Sequence, residues 1–185
     1  AAHRAADGAA DVATGRCLGA RGVNAVMHRV QNAIVARGFV TTRIVSAPQD
    51  LAAGTLTLTV VPGRIYRIGF APGTDTRATF INALPVRSGD VLNLRDIEQA
   101  LENFKRVPTV EADIQIVPTE NFKHMPGYSD LVITWTQRFP VRLSVGVDDS
   151  GTQATGTYQG NLTLAYDHAF TLNDLLYVSI NRDLG

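Results

Sequence analysis

"RGFVTTRIVSAPQDLAAGTLTLTVVPGRI", residues 37–65, changes texture at one glycine and then alternates twice. Upstream of it, Val23, Val26, Met27, Val30 and Ile34 recur at helical spacing between Val23 and Ala36, with Arg29 and Gln31 off that face. Arg37-Gly38 ends this helix, with glycine at the left-handed cap position. Phe39 to Val45 reads as a strand, and Pro48 with Gln49-Asp50 marks a turn. "GTLTLTVV" then sets Leu56, Leu58 and Val60 against Thr55, Thr57 and Thr59, the pattern of a half-buried strand. Pro62-Gly63 closes the unit. Helix, strand, strand with almost nothing reactive is a scaffold.

The same order recurs downstream in fuller form. "RIYRIGF" (64–70) is a strand with Ile65 and Ile68 apolar, broken by Pro72-Gly73, and Thr79 to Leu84 reads as a short helical segment stopped by Pro85. "LNLRDIEQALENFKRV" is the clearest helix, with Ile97, Ala100, Leu101 and Phe104 as its stripe and Asn93 as its cap, Asp96 three residues on. "EADIQIVPTE" and "YSDLVITWT" form a strand pair across the loop "NFKHMPG". The match of element order to the first unit is an internal repeat, with a hinge expected near Val61–Arg64.

After Arg138 the texture changes again. "VRLSVGV" separates Val141, Leu143, Val145 and Val147 from Arg142, Ser144 and Gly146. "TYQGNLTLAY" separates Tyr158, Leu162, Leu164 and Tyr166 from Gln159, Asn161 and Thr163, and "LLYVSIN" separates Leu176, Val178 and Ile180 from Tyr177, Ser179 and Asn181. Three strands with one apolar and one polar face, two tyrosines bracketing the second, suit a membrane barrel. A soluble sandwich gives the same period.

Composition excludes little. Seventeen basic and 17 acidic residues cancel, so there is no bulk charge favouring nucleic acid. The single cysteine, Cys17, forms no internal disulfide and is expected to be a small buried residue at a helix start. Residues 1–16, "AAHRAADGAADVATGR", read as a loose lead-in with no continuous apolar stretch, so a signal peptide is absent or already removed. No apolar run approaches the roughly 18 residues of a membrane helix. His3, His28, His124 and His168 lie apart without ligand spacing, and Asp148-Asp149-Ser150-Gly151 lacks the later ligands of a calcium loop. No serine sits in a nucleophile elbow and there is no phosphate loop. Neither metal, cofactor, small-molecule substrate nor enzymatic activity is expected.

The opening stretch, with Thr41-Thr42-Arg43, Pro48-Gln49-Asp50-Leu51, Gly54-x-Leu56-x-Leu58 and Pro62-Gly63-Arg64, closely resembles the first polypeptide-transport-associated (POTRA) module of ShlB/FhaC/HecB-type transporters of two-partner secretion. The second copy resembles their second module. "SVGVDDSGTQATG" resembles their first barrel strand and loop, with Asp149 where asparagine is more usual. The resemblance implies an α+β chain: POTRA 1 over residues 1–62 without its first strand, POTRA 2 of βααββ order over 63–138, and about three antiparallel barrel strands over 139–185. Even the smallest closed barrels have about 8 strands, so the resemblance further implies a piece of a longer chain.

Its implied setting is the Gram-negative outer membrane, with the POTRA region in the periplasm and the barrel in the lipid bilayer. Its implied partner is a secreted protein crossing unfolded. Strand addition recognises main chain with little demand on sequence, which makes Phe39, Val40, Thr41, Thr42, Arg43, Ile44, Val45 and Ser46 the expected partner-binding edge. Arg142, Ser144, Gln159, Asn161 and Thr163 are the expected lumen face. The alternatives are an Omp85-type assembly factor, which commonly carries more POTRA modules, and a soluble periplasmic adaptor ending in an extra sheet.

Overall fold

The computed structural model describes residues 13, 15, 19–119, 127–149, 151 and 157–184. Most of the lead-in, Cys17, His3, His124 and most of the "DDSGTQATG" loop lie outside the described residues. In chain order come α1 (Ala20–Val35), β1 (Arg43–Val45), β2 (Thr59–Val61), β3 (Arg64–Phe70), α2 (Leu94–Lys105), β4 (Val110–Pro118), β5 (Tyr128–Gln137), β6 (Val141–Asp148), β7 (Gln159–Asp167) and β8 (Leu175–Asp183). They make three sheets, ordered β1-β2, β3-β5-β4 and β6-β7-β8. The fold is α+β.

Contacts divide the chain into two units, and the division runs through β3, α2, β4 and β5. The first takes residues 1–68, 86–97 and 116–131; the second takes 69–85, 98–115 and 132–185. In the first, Ile65 and Leu92 are fully buried with Ile44, Val86, Ile97 and Leu131 close behind. In the second, Phe104, Val107, Ile133 and Trp135 are fully buried, joined by Ala83 and Ala100. Burying such side chains is worth about 1.5–3 kcal/mol each, and this is what fixes the helix faces.

Helix α1 ends as the sequence leads one to expect. Gly38 has φ +95°, its N–H bonds Val35 O at 2.8 Å, and Phe39 N–H reaches back to Ile34 O at 3.4 Å. A Cβ on Gly38 would also lie 2.1 Å from Asn93 Oδ1, so only glycine fits. Asn93 caps α2 by accepting from Arg95 N–H at 3.0 Å.

Four expectations are corrected. The strand expected from Phe39 begins only at Arg43, because Val40 N–H bonds Gly38 O and Thr42 N–H bonds Phe39 O in a turn. The strand expected over 54–61 is laddered only at Thr59–Val61. Thr79–Leu84 is a turn and not a helix: Asn82 stands at φ +59°, while Ala83 and Leu84 N–H both bond Phe80 O. Contacts do not divide the chain at Val61–Arg64, where a hinge was expected, and bonds cross that joint. Gly63 N–H bonds Thr42 Oγ1 at 3.1 Å, a Cβ there would lie 1.9 Å from Thr41 Oγ1, and Arg64 N–H bonds Gly127 O at 2.8 Å.

Candidate functional site

The "PQDLAAG" stretch explains why β1 and β2 are short. β1 pairs antiparallel with β2 as Arg43↔Val61, Ile44↔Val60 and Val45↔Thr59, so the ladder would continue through Ser46 opposite Leu58 to Ala47 opposite Thr57. The Gln49 side chain stands in instead. Its Nε2 donates to Thr57 O at 2.9 Å and its Oε1 accepts from Thr57 N–H at 2.7 Å, while Nε2 also reaches Ser46 Oγ at 2.6 Å. Asp50 then accepts from Ala52 N–H at 2.8 Å, starting a 3-10 turn (Leu51–Ala53) that ends at Gly54, φ +76°.

The eight residues of the expected edge do not act as one row. Thr42 and Ile44 are buried, while Arg43 and Val45 are exposed on the opposite side. Val40, Thr41, Arg43 and Val45 line a groove of about 440 Å³ together with Val61 and residues 116–118 and 127–129. Phe39 and Ser46 are half-buried. The outer edge of β1 is also occupied: Gln31 Nε2 donates to Thr42 O at 2.7 Å and Gln31 Oε1 accepts from Ile44 N–H at 2.9 Å.

The third sheet keeps the expected faces together. β6 and β7 pair Arg142↔Ala165, Ser144↔Thr163, Gly146↔Asn161 and Asp148↔Gln159, and β8 adds Ser179 beside Thr163 and Asn181 beside Asn161. All five residues expected to line a lumen therefore share one face. It is laced by side chains: Asn161 Nδ2 bonds Ser179 Oγ at 3.0 Å, and Thr163 and Ser179 hydroxyls meet at 2.9 Å. The other face carries Leu143↔Leu164↔Val178 and Val145↔Leu162↔Ile180. These six side chains are 43–73% exposed. A contiguous exposed apolar face of this kind marks contact with another apolar phase.

At the end of this sheet lies a polar cluster that sequence reasoning missed. Arg142 Nε and Nη2 each donate to the buried Asp167 carboxylate at 2.9 Å, a bidentate pair. His168 is fully buried, 5.3 Å from the Trp135 ring, with Nε2 against Arg77 O at 2.9 Å. Asn173 Nδ2 donates to Ile81 O at 2.7 Å and Asn82 Nδ2 donates to Leu172 O at 3.0 Å. His168, Thr171 and Asn173 all adopt φ between +54° and +60°, each at a cost on the order of 1–3 kcal/mol that the surrounding bonds offset. Asp174 organises the turn. Burial alone would raise its pKa, but hydrogen bonds from Leu172, Phe170 and its own N–H, aided by the charge of His168, outweigh that and hold it below the ordinary 3.8. The only signal in the sequence was the run of turn residues in "HAFTLND". Among the described residues no His, Cys, Asp and Glu cluster has the arrangement of a metal site.

Strand-and-helix modules followed in the chain by a sheet with one apolar, exposed face and one polar, hydrogen-bonded face fit the class of chains that join α+β modules to a membrane β-barrel. Comparison with known proteins gives the particular family. Residues 2–63 match the ShlB-type POTRA domain, 64–118 match the POTRA domain, and 127–185 match the haemolysin secretion/activation protein ShlB/FhaC/HecB. The chain carries POTRA and ShlB/FhaC/HecB domains, those of a two-partner secretion transporter of the Omp85 superfamily.

The outer membrane transporter CdiB-2 of Burkholderia pseudomallei (strain 1026b) is 42% identical over 170 residues, covering 92% of this chain and 28% of that one. The solved structure of CdiB from Acinetobacter baumannii superposes with TM-score 0.77 at 37% identity, covering 90% of this chain and 31% of that one. CdiB from Escherichia coli gives 0.76 at 36% identity, over 91% of this chain and 31% of that one. The chain thus spans under a third of these relatives' length. The matching families are transporters, not enzyme classes.

Proposed function

We propose that this chain is the periplasmic receiving region and first wall of a transporter that passes a secreted partner protein, unfolded, across the Gram-negative outer membrane. Two POTRA modules, residues 1–62 and 63–138, receive the client; residues 139–185 begin the barrel. Client main chain adds to the β1 edge near Phe39–Ser46, and the face bearing Arg142, Ser144, Gln159, Asn161 and Thr163 lines the passage.

The observation that carries the reading is the two-faced sheet. Its apolar side chains stand exposed where a soluble sandwich would bury them, and its polar side chains are bonded to one another along a wall. A hydrated passage lined by hydroxyls and carboxamides lets a polar main chain slide, because no single contact is strong. The lipid requires the opposite face to be uncharged near the bilayer centre.

The direct test is export. Cells making the full-length protein together with a candidate secreted partner should release that partner into the medium. Without the transporter the partner should stay in the periplasm; release that does not depend on the transporter contradicts the reading.

A further inference from the structure

We propose that the Gln31 carboxamide is a built-in occupant of the strand-accepting edge of β1, and that an extended client segment binds by taking its place. The proposal rests on the client-capture reading and says how that site is regulated. A primary carboxamide carries the same kinds of group as main chain, an N–H donor and a C=O acceptor, and can turn both to one side. Gln31 uses both, donating to Thr42 O at 2.7 Å and accepting from Ile44 N–H at 2.9 Å. These are two of the main-chain groups that a strand added on this side of β1 would use, since Arg43 and Val45 flank Ile44 in the ladder with β2. The slot therefore presents one acceptor and one donor two residues apart, the pair that an N–H and a C=O from successive peptide groups of an added strand would meet, which identifies its occupant as main chain.

The place of Gln31 in α1 supports this. It lies beside the stripe of Val23, Val26, Met27, Val30 and Ile34 and, like those residues, is half-buried, so its far end is free to reach the β1 edge. Beside it runs a shallow groove of about 140 Å³ lined by Asn24, Met27, His28, Gln31 and Ile44. Met27 and Ile44 offer it an apolar floor, and Asn24 and His28 polar walls. An extended segment with an apolar side chain at alternate positions suits it.

The exchange is close to balanced. The arriving segment makes the two bonds that Gln31 gives up, and the released side chain regains rotamer freedom. A near-balanced exchange holds a passing chain weakly and lets it go, and between clients the edge is shielded from pairing with other strands.

The test uses the intact transporter in detergent, with fluorescently labelled reduced and carboxymethylated α-lactalbumin as a permanently unfolded probe. Affinity is measured together with hydrogen exchange at the Ile44 amide. In Gln31→Ala the free protein should exchange Ile44 faster and bind the probe about tenfold more tightly. Gln31→Glu, which keeps an acceptor for Ile44 N–H but loses the donor to Thr42 O, should fall between. If Ile44 exchange speeds up in Gln31→Ala with affinity unchanged or weaker, while the probe still protects Ile44 in the wild type, the occupant idea is overturned and capture at β1 stands. If the probe protects Ile44 in no variant, capture at β1 falls, and the occupant idea with it.

Discussion

Gln31 and Gln49 each place a side-chain carboxamide where main chain would otherwise pair, one on the outer edge of β1 and one at the end of its ladder. Neither was legible in the sequence. Periodicity reports which way a side chain faces, not what its far end reaches, and both reach residues 8 to 13 positions away. Gly38 and Gly63 were legible as punctuation, and contact with Asn93 and Thr41 then makes them obligatory. Thr42 shows how such detail changes an experiment. Its N–H is committed to Phe39 O and its hydroxyl to Gly63 N–H, so Thr42→Pro probes the joint; the outward N–H of β1 belongs to Ile44.

Asp174 gives a titration at the same scale. Its folded pKa lies below the ordinary value, so its contribution is fully present above that value and is lost as pH falls through the folded pKa. Wild type should therefore exceed Asp174→Ala in denaturant midpoint by a constant margin from neutral pH down to about pH 4. Below that the margin should shrink. A margin that widens with acid would mean the turn is held by something else.

Among elements, length of pattern decided what could be read. β6, β7 and β8 carry eight or nine alternating residues each, and the structure places them where the alternation does. β1 and β2 retain three residues apiece, because side chains and turns take over main-chain pairing that a propensity reading assigns to a ladder. Helix α2 kept its face, with one shift of emphasis: Phe104 is fully buried and Leu101 only half-buried. Phe104→Ala should thus cost about 3–5 kcal/mol in equilibrium unfolding, and Leu101→Ala clearly less; equal losses would mean that the helix is rotated from the described face.

The two faces of β6 support a sharper comparison. Leu143 pairs with Leu164 on the apolar side and Ser144 with Thr163 on the polar side. For full-length protein folding into bilayers, Leu143→Arg should lose about 2–4 kcal/mol, as a charge on a lipid face does near mid-bilayer. Ser144→Arg should fold nearly as well as wild type. The reverse order would mean a register slipped by one residue.

For the whole molecule, the module order was legible because helix-strand-strand recurs, but the packing was not. Contacts gather the stretch around Gly38, Gly63, Leu92 and Gly127 into one unit, and residues 77–83 with the β7–β8 turn into the other. No periodicity encodes that His168 sits beside Trp135 and against the Arg77 carbonyl. The central claim, that a client chain passes along the polar wall, is tested by cross-linking during export. A photo-reactive amino acid is placed at Asn161 on the polar face or at Leu164 on the apolar face of the same strand of the full-length transporter. The account predicts client adducts from position 161 and none from 164; adducts from 164 alone, or equally from both, would contradict it.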